Sequence, residues 1–558
     1  MIATTQTPMD TERLMAQNGR SRRTTAYVET YGCQMNVSDG ELMQGILAGR
    51  GYDLVASPEE ADVVLVNTCA IREHAERRVL GRVAELNRLK KDRPDLVIGV
   101  TGCMAQRMGE ELLERAPYVD LVMGPDGYRG LPEALGRLRP DALPEGAEGA
   151  GPRTRASASP AASGSAKGPA RGDGDADGGG PAAAGAGERS THFAPYRVTG
   201  RRGSLPVLQG GRTGESNGGR VVERASVGRT AAVSGDRIAS LDFQPHENYE
   251  GLEVRRESRI SAWVPVQRGC NYRCTYCIVP YVRGPEKNRH PGRILDEVRG
   301  VAEQGIPEVT LLGQTVNSYW HGDWDFARLL RAVSRVDGIR RVRFTSPHPN
   351  DVTDRLVEAM AEEPAVCRQL HLPVQSGHDR TLKRMLRRYT VESYLEKVAL
   401  VRQAIPEIAL STDVIVAFPG ETDEEYEATL DLMREVRFDD AFMYKYSPRE
   451  GTPATRLPGD EFIDPGTAQD RLERLIDVQR GIQAEINRAA VGGTVQVLVE
   501  REARSEGDVL GRTERNKVVA FPGDPSLIGR FLHVRLTHTT GATFTGERVE
   551  EPVLATTR

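Results

Sequence analysis

The chain lacks any window approaching the 18 or so consecutive apolar residues of a membrane span. Its first 25 residues are polar with scattered charge and have no apolar core of the secretory-leader type. Neither sign of charge dominates: 79 acidic residues stand against 74 basic ones, a net −5. That balance excludes a uniformly basic nucleic-acid coat and leaves room for a local basic face. Cysteine is scarce and odd in number, seven in 558 residues, which argues against a disulfide framework. No internal repeat with a period of about 20–50 residues appears. These absences point to a soluble, cytoplasmic protein of three or four domains, whose cysteines need another explanation.

Glycine is concentrated in one place. Residues 141–240 hold 21 of the 58 glycines, with Ala, Ser, Pro and Arg filling most of the rest. Such a composition buries too little apolar surface to offset the entropy of ordering, so the stretch reads as a disordered insert acting as a passive linker. Residues 1–23 read as a disordered N-terminus. Between these, over 24–140, short apolar runs alternate with helical patterns. Strands are expected at Thr25–Thr30, Asp62–Val66, Leu96–Val100 and Val119–Met123, with helices over Asp39–Ala48 and Ile71–Leu89. This spacing indicates βα units on a parallel sheet.

The alternation resumes over 241–488. Strands are expected at Ala262–Val266, Glu308–Leu312, Arg341–Thr345, Gln369–Pro373, Ser411–Ala417 and Ala441–Tyr446. Six βα units over this length fit a partial (β/α)6 barrel. From 489 to 558 the pattern changes to short alternating strands, at Thr494–Val499, Lys517–Phe521 and Phe531–Leu536, a small all-β barrel. The fold class is therefore α/β, with an all-β appendage.

Six of the seven cysteines form two sets of three. Cys270, Cys274 and Cys277 lie on the loop directly after the first barrel strand, the end at which such barrels build sites. Three thiolates spaced four and three residues apart can wrap one cluster. A structural zinc ion wants four closed ligands, and no His or fourth Cys is near. A 4Fe–4S cluster held by three thiolates keeps one iron open for a substrate or cofactor. The second set, Cys33, Cys69 and Cys103, is spread over intervals of 36 and 34 residues. Each lies just past an expected parallel strand, so the three can converge on one sheet edge and hold a second cluster of the same kind. Gly32 and Gly102 would let the backbone turn closely around a bulky group. Cys367 has no such neighbours and reads as a core residue.

The Cys270/Cys274/Cys277 spacing is that of the radical S-adenosylmethionine (SAM) superfamily. There the open iron chelates SAM, and one electron cleaves it to a 5′-deoxyadenosyl radical. By this resemblance Tyr276 would approach the adenine, and Gly313-Gln314-Thr315 would meet the SAM amino group. Val374-Gln375-Ser376-Gly377 and Phe418-Pro419-Gly420-Glu421-Thr422 close the fourth and fifth strands, which makes Gln375 and Ser376 further SAM-binding residues.

The longer motifs narrow the resemblance. They are Tyr31-Gly32-Cys33-Gln34-Met35-Asn36, Asn67 to Glu73, Gly102 to Arg107, Cys277-Ile278-Val279-Pro280-Tyr281-Val282-Arg283-Gly284, His371 to Gly377 and Gly511 to Asn516. Together they resemble the radical SAM methylthiotransferases over nearly all of the chain outside the insert and the first two dozen residues. The last marks a TRAM domain, an RNA-binding β-barrel, and the barrel before it is the radical SAM core. The resemblance implies two 4Fe–4S clusters and SAM, a transfer-RNA anticodon loop as partner, and a flavodoxin-type electron donor. The implied reaction is methylthiolation of C-2 of N(6)-dimethylallyladenosine at position 37. One site per chain fits a monomer.

The chemistry agrees. The C-2 hydrogen of an adenine is not removed as a proton near neutral pH, so a cofactor must supply the hard step. A base in a loop is taken out of its stack to be modified. Arg512, Arg515 and Lys517 would contact phosphate, and Phe521 offers a stacking surface. Lys383, Arg384, Arg387 and Arg388 form a second basic run, which on charge alone reads as a solvated face. Related enzymes act on threonylcarbamoyl-adenosine, or on an aspartate of a ribosomal protein. The protein-modifying ones carry Pro-Lys-Asn where this chain has Gln34-Met35-Asn36, and that difference favours the dimethylallyl substrate. A non-catalytic Fe–S redox sensor that binds RNA is the alternative of another class.

Overall fold

The computed structural model describes residues 23–70, 73–139, 231–232 and 237–549. All but the last residue of the expected disordered N-terminus, most of the expected insert, and Ile71 and Arg72 of the Asn67–Glu73 motif lie outside the described residues.

The N-terminal sheet is built from β1 (Thr25–Tyr31), β2 (Asp53–Leu54), β3 (Val63–Thr68), β4 (Val97–Gly102), β5 (Leu121–Met123), β6 (Ala231–Ala232) and β7 (Ile238–Ser240). Their order is β2-β1-β3-β4-β5-β7-β6, and all neighbours are parallel except β6 against β7. The Val63–Thr68 run is buried on both faces, as a central parallel strand requires. Val64 and Val66 pack with Val79, Met104 and Leu112 on one side. Val63 and Leu65 pack with Leu42, Met43, Leu47 and Leu131 on the other. The period-2 alternation thus feeds two cores. β7 falls within the stretch read as insert. It pairs Leu121↔Ile238 and Met123↔Ser240, so the folded N-terminal unit takes its last parallel strand from beyond residue 236.

The central domain has six parallel strands: β8 (Ser261–Pro265), β9 (Glu308–Leu312), β10 (Arg341–Phe344), β11 (Gln369–His371), β12 (Ala409–Val416) and β13 (Asp440–Lys445). They form two three-stranded sheets, β10-β9-β8 and β11-β12-β13. A parallel bridge, Val342↔Val366, carries the series across the gap. Outward residues such as Val264, Val309, Leu311, Leu370 and Val414 pack beneath the surrounding helices. Their alternating neighbours, Trp263, Glu308, Thr310, His371, Ser411 and Asp413, face an interior cavity. Cys367 is buried, as expected of a core residue.

A helix over Pro465–Ala490, capped by the Asp464 carboxylate on Gly466 N and Thr467 N, leads to the C-terminal barrel. That barrel closes five strands, β14 (Thr494–Glu502), β15 (Asp508–Thr513), β16 (Val518–Pro522), β17 (Phe531–Thr539) and β18 (Phe544–Val549), in the order β14-β15-β16-β18-β17. β15 and β18 add to the three strands expected from the sequence. Phe521, expected to offer a stacking surface, is 1% exposed and packs with Val497, Val509 and Phe544 in the barrel core. The barrel docks through two buried arginines of β10. Arg341 donates to Arg512 O at 2.7 Å and Gln496 O at 2.9 Å. Arg343 donates to Thr513 O at 2.7 Å and Glu514 O at 3.1 Å.

Candidate functional site

The cavity inside the central barrel, about 1380 Å³, is lined at one end by Tyr276, Cys277, Ile278 and Val279, and also by Gly32, Cys33, Gln34 and Cys69. Members of both cysteine sets therefore face one volume.

The tight set sits on the loop that follows β8. Gly269, at φ +73°, turns the chain there, and a Cβ on it would lie 2.1 Å from Pro285 O. The loop is pinned by Thr275 N to Met385 O at 3.0 Å and Thr275 Oγ1 to Arg384 O at 2.9 Å. Cys270 Sγ lies 3.1 Å from Thr315 Oγ1. The Arg387 guanidinium donates to Cys274 Sγ at 3.4 Å. The Tyr272 ring stacks on His348 at 3.8 Å, and its hydroxyl donates to Asp351 at 2.8 Å. Burial, then the neighbouring Cys274, pushes the Cys277 thiol up to about 12.

The wide set is assembled by register. Tyr31 pairs with Thr68, and Thr68 with Gly102, so the three strands end on one line. Cys33, Cys69 and Cys103 follow that line by two, one and one residues. Cys33 caps the Gln34–Gly49 helix, and Cys103 opens the Cys103–Met108 helix. Gly102 is at φ +93°, where a Cβ would fall 2.5 Å from both Asn67 Oδ1 and Thr68 O. An amide lattice holds the edge: Asn67 Nδ2 donates to Asn36 O at 2.7 Å, and Asn36 Nδ2 to Thr68 O at 3.1 Å. Arg283 reaches in from the central domain and donates to Cys103 Sγ at 3.1 Å and to Asp39 Oδ2 at 2.7 Å. A hydrogen bond from Cys69 draws the Cys33 thiol down to about 6, against burial and with help from the Arg283 charge. Burial pushes Cys103 up to about 11.

Both triads fit a cationic cluster. The thiols that burial drives up, Cys103 and Cys277 among them, become favourable thiolates once positive metal is beside them. Three irons of a cube would each take a separate thiolate, so three sulfurs need not meet at a point. Among the described residues no three His, Cys, Asp or Glu side chains converge on a single ion.

Of the expected SAM-binding residues, Tyr276 and Gln375 line the cavity. Tyr276 packs against Met385, Phe418 and Ala454, and Gln375 has φ +71°. Gly313 and Gln314 lie in the turn leading to Thr315, and among the described residues the Gln314 Oε1 and the Gln375 Oε1 are both buried without a partner. Ser376 is fully buried, and its Oγ accepts from His378 N at 3.4 Å.

Arg512, Arg515 and Lys517 line the other end of the cavity. Arg512 is paired with Glu500 at 3.1 Å, and Lys517 with Asp439 at 3.0 Å. Two members of the basic run are not solvated: Arg384 pairs with Glu461, and Arg387 is buried. Lys383 and Arg388 are exposed. The sequence reading passed over Arg387 as surface and assigned Arg283 no role. It also missed the inward barrel residues, although strand alternation carries that signal.

Three family descriptions match: "Uncharacterized protein family UPF0004" over 25–124, "Radical SAM superfamily" over 264–433 and "TRAM domain" over 488–549. The radical SAM match brings SAM and 4Fe–4S chemistry with it. The tRNA-2-methylthio-N(6)-dimethylallyladenosine synthase of Thermoanaerobacter sp. (strain X514) is 38% identical over 542 residues, 96% of this chain and 95% of that one. The synthase of the same name from Chlorobium limicola is 38% identical over 527 residues, 94% and 98% of the two chains. A solved structure of the radical SAM methyltransferase TsrM from Kitasatospora setae, with cobalamin and a [4Fe-4S] cluster bound, is 13% identical, with a TM-score of 0.49 over 88% of this chain and 81% of that one. On the likeness to the two synthases, the chain belongs to the tRNA-2-methylthio-N(6)-dimethylallyladenosine synthase family.

Proposed function

We propose that the chain methylthiolates C-2 of N(6)-dimethylallyladenosine at position 37 of transfer RNA, with Cys270, Cys274 and Cys277 holding the SAM-binding 4Fe–4S cluster and Cys33, Cys69 and Cys103 a second one. The observation that carries this reading is that Cys33, Cys69 and Cys277, from both sets, line the same cavity. When bound, the two clusters and SAM supply the radical and the sulfur. The protein's own residues bind, orient and shield. Tyr276 and Gln375 face the SAM side. Phe442 and Tyr444, 48% and 38% exposed on the inward side of β13, offer aromatic faces for a splayed base. Arg515, whose buried Nε has no partner among the described residues, stands at the far end to meet the RNA. A flavodoxin-type donor provides the electron. The enzyme acts as a cytoplasmic monomer; among the described residues no helix is long and apolar enough to cross a membrane.

Mass analysis of transfer-RNA nucleosides from cells lacking the chain tests this. The methylthio mark disappears and its dimethylallyl precursor accumulates; the wild-type chain restores the mark, and Cys33→Ala or Cys270→Ala does not. Accumulation of a threonylcarbamoyl precursor instead would reassign the substrate.

A further inference from the structure

Each cysteine triad has one buried guanidinium bonded to one of its sulfurs, and the two guanidinia differ in what neutralises them. Arg283 is 3% exposed and donates Nε–H to Cys103 Sγ at 3.1 Å. Its Nη2 is bonded to the Asp39 carboxylate at 2.7 Å, with Asp39 1% exposed. Arg387 is 9% exposed and donates to Cys274 Sγ at 3.4 Å. Its other bonds go to the Tyr389 hydroxyl at 2.9 Å and Pro373 O at 3.3 Å, both neutral. No carboxylate is bonded to it among the described residues. The Arg283 charge beside the wide triad is thus balanced by a bonded carboxylate, whereas the Arg387 charge beside Cys274 is not; the carboxylates on that side, Glu286 and Asp351, are bonded to Ser318 and Tyr272 instead.

We propose that Arg387 makes the tight-triad cluster the easier of the two to reduce, while the Arg283–Asp39 pair holds the wide-triad cluster at a lower potential. The inference rests on the ligand assignment above. Hydrogen bonds to ligand sulfurs and nearby net charge both set an iron–sulfur potential. Adding one electron makes a cluster more negative, so a cation without a bonded carboxylate stabilises the reduced form, the more so where it is buried, as Arg387 is. An incoming electron is thereby directed to the cluster that binds SAM rather than to the one that holds sulfur. Both arginines act through the clusters and are positioning residues.

The test is a dithionite titration of the full chain, reconstituted without oxygen and followed by electron paramagnetic resonance, with iron and sulfide quantified. Triple alanine variants of either triad isolate one cluster at a time. At a fixed poise near the midpoint, Arg387→Gln lowers the reduced-to-oxidised ratio of the tight-triad cluster about tenfold, the scale of one charge-assisted hydrogen bond. Arg387→Lys, which keeps the charge, recovers most of it. Asp39→Asn, nearly isosteric, leaves Arg283 unneutralised and raises the ratio at the wide-triad cluster. An unmoved midpoint in Asp39→Asn overturns the proposal, as does one in an iron-replete Arg387→Gln. A wild-type chain that binds one cluster, or keeps both after either triad is replaced, defeats the ligand assignment instead.

Discussion

The Lys517 ammonium lies 3.0 Å from the Asp439 carboxylate, joining the small barrel to the start of β13. Both side chains are mostly buried, at 16% and 10% exposure, so this lysine is a docking residue and not a free phosphate contact. Lys517→Ala is expected to cost about 2 kcal/mol, because it strands a desolvated carboxylate. The salt dependence of transfer-RNA binding is expected to stay unchanged, whereas loss of a phosphate contact lowers the slope by about one unit. Denaturant melts and binding at several salt concentrations read the two effects separately.

Gly102 carries the sharpest backbone demand at the wide triad. At φ +93°, with Asn67 Oδ1 and Thr68 O each 2.5 Å from a Cβ position, it accepts no side chain without moving β3 or the Cys103 turn. Gly102→Ala is expected to cost more than about 2 kcal/mol from backbone strain and contact combined. It should lower bound iron to about half, because only one triad is disturbed. Iron and sulfide assays on oxygen-free protein check this; full loading would show that the edge can relax.

Most of the strands and the grouping of six cysteines into two sets were legible because period-2 patterning and chain order carry them directly. Cys33, Cys69 and Cys103 needed only the inference that parallel strands end together, and the Tyr31–Thr68–Gly102 register has that form. Arg387 was not legible. In the run 383–388 it looks like its neighbours, and only the turn after the helix over Asp379–Arg384 drives it inward while leaving Lys383 and Arg388 outside. Phe521 failed for a related reason. An aromatic on a short strand does not announce which face it occupies until the fifth strand closes the barrel. β7 was hidden because three residues after a glycine-rich stretch carry no periodicity of their own.

His348, beneath the cysteine loop, makes the stability of the fold depend on pH. Burial, with the Arg387 charge, holds its imidazole down to about 2, so the ring beneath Tyr272 stays neutral in the fold. The unfolded chain takes up this proton near pH 6.5, and the folded one does not. This group's stabilising contribution is therefore complete above about pH 6.5 and declines as the pH falls toward the folded value. Between pH 6.5 and 5 the loss is about 2 kcal/mol. Urea midpoints across this range should fall less steeply in His348→Asn than in the wild type; equal slopes would mean that the ring is protonated in place.

Phe442 separates substrate capture from folding. It is 48% exposed on the inward side of β13, its ring edge-on to His371 at 5.8 Å, and it lines the same cavity as Cys277. A base stacked on an aromatic face gains about 1–3 kcal/mol. Phe442→Ala is therefore expected to lower kcat/KM for dimethylallyl-containing transfer RNA by about tenfold or more, while Tm and iron content stay at wild-type values. Phe442→Tyr, which keeps the ring, should recover most of the loss. A purely structural role for Phe442 would instead lower Tm together with activity, so the two measurements taken on the same preparation decide between a base platform and a packing residue.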